Sequence, residues 1–174
     1  MHRWVDYFFD TEFLETPGQL IPISIGMVCE DGRELHLVSN AHNWHDYPQM
    51  DQWVQKNVVD KLPPPSTWED QRAIAAKIKS FVNAPIEAAS KEDVVHPRFW
   101  AYFASYDWVC LCWLMGGRMI DLPVGWPHLV MDFKQSMIER GLTEKHLPPK
   151  DRRKQHDALE DARWLKRAYD KVFG

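Results

Sequence analysis

Four acidic positions and one histidine stand where their surroundings give them no ordinary structural reason to be. The first two are Asp10 and Glu12 in Val5-Asp-Tyr-Phe-Phe-Asp-Thr-Glu-Phe-Leu14, a stretch with the composition of a core strand. Side chains alternate faces along a strand, so both carboxylates point the same way. Among Phe8, Phe9, Phe13 and Leu14 they repel each other and lose hydration. A divalent cation would compensate both effects, because hard ions such as Mg²⁺ take carboxylate and phosphate oxygens. Asp107 lies in the apolar run 101–114, where a strand should turn into a helix. It reads either as a helix-capping residue or as a carboxylate held at the sheet edge to meet Asp10 and Glu12. Asp161 falls at the border of the buried stripe of the last helix. That is an ordinary place for a solvated or paired Asp, and beside the other acidic sites also one for a metal ligand. His156 precedes Asp161 by five positions. The same spacing recurs at His146 and Asp151, but Pro148-Pro149 bars a helix between those two. His156 instead opens an uninterrupted helical stretch, where a neutral imidazole could take a proton from an attacking water.

The elements that must hold these residues follow from periodicity and punctuation. Strands are expected over residues 4–13, 20–30 and 34–38, with turns at Thr16-Pro-Gly-Gln19 and Asp31-Gly32, making an antiparallel meander. Residues 50–59 read as a short helix with Trp53, Val54 and Val58 inward. After Pro63-Pro64-Pro65, Ser66 or Thr67 is expected to cap a helix that has Glu69 and Asp70 in its first turn and Ile74, Ile78, Phe81 and Val82 as its stripe. Residues 83–97 read as a loop. A core strand over 99–104, an apolar helix over 106–115, a short strand over 128–132 and a helix over 133–140 come next. A basic loop covers 145–154, and the last helix covers 157–172, with Ala158, Ala162, Leu165, Tyr169 and Val172 on one stripe. A meander followed by alternating strands and helices implies an α/β fold with a mixed sheet and helices on both faces.

A chain of 174 residues is expected to form one domain, 1–174. Its net charge of −4 excludes binding nucleic acid by overall charge, so any such contact must be local. Cys29, Cys110 and Cys112 do not form an even disulfide framework, which fits a reducing, intracellular compartment. Charged residues interrupt the N-terminus, so no signal peptide is expected, and no apolar run is long enough to span a membrane. His36, His42 and His45 have no Cys nearby, and a structural zinc site is set aside.

Asp-x-Glu on the first strand, a mid-chain Asp at a strand-to-helix junction and His-x-x-x-x-Asp on the last helix resemble the DEDDh 3′–5′ exonucleases. That superfamily includes RNase T, oligoribonuclease and the proofreading ε-type exonucleases. The likeness is closest to its small bacterial, mycobacterial-type exoribonuclease branch. Tyr-Phe-Phe-Asp-Thr-Glu-Phe, Ile-Ser-Ile-Gly-Met-Val-Cys-Glu-Asp-Gly-Arg-Glu, Lys-Leu-Pro-Pro-Pro, Ala-Ser-Tyr-Asp and His-Asp-Ala-Leu-Glu-Asp-Ala-Arg carry it across nearly the whole chain. The resemblance implies an RNase H-like, mixed five-stranded sheet. It also implies that Asp10, Glu12, Asp107 and Asp161 hold two Mg²⁺ or Mn²⁺ ions and that His156 is the general base. The tyrosine subtype would place Tyr at position 157, which is Asp here. One departure is Ala104-Ser105, where many relatives carry Asn or His. The implied substrate is RNA with a free 3′ end, released as nucleoside monophosphates. A DNA-trimming exonuclease and a nucleotide- or RNA-binding module on the same fold are the alternatives. A homodimer in the cytoplasm is also implied, with the aromatic, His-rich stretch around Trp44 and Trp53 as one surface it could use.

Residues for substrate contact surround the acidic motif. Glu12 could accept a hydrogen bond from the terminal 3′-hydroxyl, with Thr11 beside it. Phe13 and Leu14 could wedge against the last base, and Tyr106 and Trp108 flank Asp107. Each of these aromatics has core packing as its alternative. Lys145, Lys150, Arg152, Arg153 and Lys154 could track a phosphate backbone or could simply form a solvated basic loop.

Overall fold

The computed structural model describes residues 2–90, 92–151 and 153–174. The meander forms as expected from β1 (His2–Thr16), β2 (Gln19–Cys29) and β3 (Glu34–Val38), with Gly32 at φ +90° in the second turn. Two parallel strands, β4 (Val94–Ala101) and β5 (Met131–Asp132), extend it on the other side. The sheet order is β3-β2-β1-β4-β5, with β1 central. This is the mixed five-stranded, RNase H-like arrangement.

Alternation along β1 sends its side chains into two separate cores. Tyr7 and Phe9 meet Ile74, Ile78 and Val82 of α2 (Gln71–Glu87) and Leu111 of α3 (Ser105–Leu114). Phe8 points to the opposite face, against Phe133 and Met137 of α4 (Phe133–Glu139) and Trp164, Leu165 and Ala168 of α5 (Ala158–Phe173). A third cluster joins Leu14, Ile23, Val38 and Trp44 to Val58, Val59 and Trp68, beneath α1 (Gln52–Asn57) and its neighbouring 3₁₀ turns. Trp44 itself is fully buried in this cluster, while His42, Asn43, His45 and Asp46 beside it are exposed.

Several expected boundaries move, each for a local reason. Asp70, not Ser66 or Thr67, caps α2, its side chain accepting from the Ala73 N–H at 2.9 Å. Residues 65–67 instead form a 3₁₀ turn after the prolines. The helix also continues through Pro85 into the expected loop. Proline removes the N–H that would reach the Phe81 carbonyl, and the Arg33 guanidinium donates to that carbonyl at 2.8 Å instead. The Tyr7 hydroxyl serves the next carbonyl, Val82, also at 2.8 Å. β4 likewise starts earlier than expected and carries Pro97 opposite Val5. A proline fits there because β5 pairs with β4 only at Trp100 and Ala101, which leaves the outer edge at Pro97 without a ladder to donate to.

Gly26 sets how close α5 comes to the sheet. It lies opposite Asp10 on β2, and a Cβ there would sit 2.2 Å from the Leu159 nitrogen and 2.3 Å from the Ala158 carbonyl. The first turn of α5 rests directly on strand backbone, with Ala158 and Ala162 buried beneath it. Gly26→Ala should cost at least ~1–3 kcal/mol, because backbone atoms cannot rotate out of the way as a side chain would. A lower denaturant midpoint than wild type is the expected result, and an unchanged midpoint would show that α5 can shift freely.

Candidate active site

Four elements deliver the expected residues to one cleft of about 630 Å³ at the carboxyl ends of β1 and β4. Asp10 and Glu12 project from β1 on the α5 side of the sheet, while Thr11 points the other way. Pairing between β1 and β4 stops at Phe8 and Trp100, so the Thr11 N–H faces no strand partner in β4. Asp107, in the first turn of α3, takes that role. Its Oδ1 accepts from the Thr11 N–H at 2.8 Å and from the Thr11 hydroxyl at 2.6 Å. Thr11 thus positions a carboxylate. Asp132 fixes the neighbouring turn, accepting from the Ala104 N–H at 2.9 Å, and it also lines the cleft.

Asp161 enters from the first turn of α5. Its Oδ2 accepts from the His156 N–H at 2.8 Å and its Oδ1 from the Lys150 ammonium at 2.9 Å. His156 lies not on the helix but in the turn before it, at φ +63°, a region L-residues seldom occupy. Contacts hold it there. Gln155 presents its carbonyl to Lys61 at 2.6 Å, and the imidazole meets Trp53 edge-on at 4.6 Å. Ligand atoms of Glu12, His156 and Asp161 all lie within 4.8 Å of one another, with Asp10 and Asp107 lining the same cleft.

Residues 5–173 match the family model described as the 3′-5′ exoribonuclease Rv2179c-like domain. The chain belongs to the Rv2179c-like exoribonuclease family. It is similar to two proteins of Mycobacterium tuberculosis, each named a 3′-5′ exoribonuclease: Rv2179c of strain ATCC 25618 / H37Rv and MT2234.1 of strain CDC 1551 / Oshkosh. Identity to each is 36% over 159 residues, covering 90% of this chain and 86% of the relative.

Within this Rv2179c-like site the aromatic expectations divide. Phe13 and the exposed Tyr106 line the cleft and pack edge to face at 5.8 Å. Leu14 and Trp108 do not reach it: Leu14 is buried in the α1 cluster, and Trp108 packs on Phe9 and Phe99. Trp53, expected inward, is 53% exposed and forms a wall of the cleft. Phe103, which the sequence did not signal, is 63% exposed there at φ +60°. Arg153 is exposed and paired with Asp151 outside the cleft, while Lys150 of the same loop lies inside it. Arg152 lies outside the described residues. His42 and His45 pack on Tyr47 and Trp68.

Burial, with like charges beside it, raises three of the carboxyls. Burial, then Asp107 and Glu12, lifts Asp10 well above the ordinary carboxylate range. Burial, then Asp161, pushes Glu12 up to about 8. Asp107 rises to about 6 through burial, held back by the Thr11 hydrogen bonds. Burial lowers His156, against the pull of Asp161. A carboxyl raised in the folded chain stays protonated where the unfolded chain has ionised, so stability falls as pH rises through the interval between the two values. For Glu12 that interval runs from 4.5 to about 8. In EDTA the wild type should therefore lose melting temperature across this interval. Glu12→Gln should remove part of the loss, with Asp10 and Asp107 supplying the rest, and melt a few degrees above wild type near the top of the interval, at about 2–4 °C per kcal/mol for a chain of this size. His156 titrates in the opposite sense in both proteins, so their difference isolates the carboxyl. A variant that melts at or below wild type at the alkaline end would refute a raised Glu12 carboxyl.

Proposed function

We propose that this protein is a metal-dependent 3′–5′ exoribonuclease that uses two divalent ions and His156 as general base. The observation that carries the reading is the convergence of Glu12, His156 and Asp161 within 4.8 Å in a cleft shared with Asp10 and Asp107. The donor set fits Mg²⁺ or Mn²⁺: four carboxylates offer hard oxygen ligands, and three of them, Asp10, Glu12 and Asp107, are raised by burial in a cleft they share. Asp10, Glu12, Asp107 and Asp161 would hold the ions, which supply neutralisation of the phosphate and of charge developing on the departing oxygen.

The chain's own groups provide the rest. Burial lowers the His156 pKa, so the imidazole is neutral at neutral pH and free to accept a proton. It takes that proton from water as the water oxygen bonds to phosphorus. The bond from phosphorus to the 3′ oxygen of the preceding nucleotide then breaks, that oxygen takes a proton from solvent, and His156 returns its proton to solvent. The products are a nucleoside 5′-monophosphate and an RNA one nucleotide shorter with a free 3′-hydroxyl. Glu12 would accept a hydrogen bond from the terminal 3′-hydroxyl and so favour attack at a free end. Phe13, Tyr106, Phe103 and Trp53 give the cleft flat apolar walls for a base.

Preference for RNA over DNA rests on the family. A homodimer rests on the family resemblance. A cytoplasmic location rests on that resemblance and on three buried free cysteines. No helix among the described residues is long and apolar enough to cross a membrane.

The test is degradation of a 5′-labelled RNA with a 3′ overhang, beside the matching DNA, in Mg²⁺, Mn²⁺ or EDTA. The expected outcome is a ladder shortening from the 3′ end that EDTA and Asp10→Ala abolish and that His156→Ala slows by about 10²–10⁴-fold. The wild-type rate should rise with pH and level off below the ordinary histidine value of 6.5. Intact RNA under every metal would overturn the exoribonuclease reading, and shortened DNA beside intact RNA would transfer it to DNA.

A further inference from the structure

Lys150 is the one cation within hydrogen-bonding distance of the acidic cluster among the described residues, and it stands at a junction. Its ammonium lies 2.9 Å from Asp161 Oδ1, with 11% of the Asp161 side chain and 32% of its own exposed. The same ammonium sits 4.2 Å over the Trp164 ring and 5.8 Å over Tyr102. Lys150 lines the catalytic cleft and also two adjoining clefts. One of these holds Lys154 and Arg167 beside Asp151 and Glu160, with Lys154 paired to Glu160 at 3.3 Å, and the other holds Tyr102; Trp164 lines both. Its backbone root is fixed, because Pro148 and Pro149 precede it and the Pro148 carbonyl accepts from Trp164 Nε1 at 2.9 Å. The four-carbon arm above that root can swing, and its point charge suits carboxylate and phosphate alike. The two oxygens of Asp161 are also divided: Oδ2 serves the His156 backbone and Oδ1 serves Lys150. A cation that takes Oδ1 therefore displaces the lysine and leaves the histidine turn in place.

We propose that Lys150 exchanges between two partners: its ammonium competes with a divalent ion for Asp161 Oδ1 and, once displaced, binds the RNA phosphate on the 5′ side of the scissile one, where the catalytic cleft opens toward Lys154 and Arg167. The inference rests on the reading of Asp161 as a metal ligand. It adds a reason for metal and RNA to bind cooperatively, since each removes a competitor of the other.

Two binding measurements test it. Mn²⁺ uptake by the metal-free protein is followed through loss of the free-ion electron paramagnetic resonance signal, comparing wild type with Lys150→Gln. Binding of a 5′-fluorescent RNA in Mn²⁺ is followed by anisotropy in the slow His156→Ala background, with and without Lys150→Gln and over a salt series. The substitution should tighten Mn²⁺ binding roughly five- to tenfold, the size expected of removing one partly exposed competing charge. It should weaken RNA binding and lower the logarithmic salt slope by about one. Lys150→Arg, which keeps the charge, should restore much of the RNA affinity. A lysine that only supports the local fold would weaken both ligands on replacement, and that result overturns the proposal. So does Mn²⁺ binding that is equal in the two proteins. A wild type that takes up no Mn²⁺ would instead overturn the metal reading itself, and this inference with it.

Discussion

Like charges do not gather in a protein interior unless the surrounding structure forces them to. Four carboxyls share one cleft here, and burial raises three of them. The details around them read as responses to that repulsion. Asp107 draws two donors from Thr11, Asp161 draws the His156 backbone and Lys150, and Asp132 caps the turn beside them. The forcing comes from packed apolar layers on both sides of the sheet, each buried Ile, Val or Phe contributing ~1.5–3 kcal/mol. The cost of gathering these groups is then built into the folded state.

Topology decides where this can happen. β1 is the strand at which the sheet order reverses, running to β2 and β3 on one side and to β4 and β5 on the other. In open α/β sheets such switch points leave a crevice beyond the carboxyl ends of the strands. Here β1 outruns β4: pairing ends at Phe8 and Trp100, and β4 turns at Ala101 into the start of α3. The freed edge of β1 gives Asp107 a backbone donor to hold, so the end of one ladder anchors the next carboxylate of the cleft.

Much of this was readable from the chain. Alternation alone placed Asp10 and Glu12 on one face, and the strand-to-helix change placed Asp107 at the sheet end. Uninterrupted helical sequence after His156 set it apart from His146. What could not be read depends on partners distant in sequence. Pro85 looked like a helix stop because the guanidinium that relieves it comes from Arg33, and Pro97 looked like a loop because nothing local announces an unpaired edge. Helical periodicity placed Trp53 inward, but the feature that draws it out is the imidazole of His156, about a hundred residues later. The left-handed backbone of His156 and Phe103 leaves no trace in residue type, since neither is glycine.

Gly26 gives the site an unusual kind of caliper. Most catalytic spacings pass through side chains, whose rotamers can absorb an error of a few tenths of an ångström. Here the first turn of α5 lies on the backbone of β2, directly opposite Asp10. The distance between the backbones that carry Asp10 and Asp161 is therefore set by main chain resting on main chain. A change in sheet twist at that point moves the root of one carboxylate relative to the other, and only the two short side chains are left to absorb it.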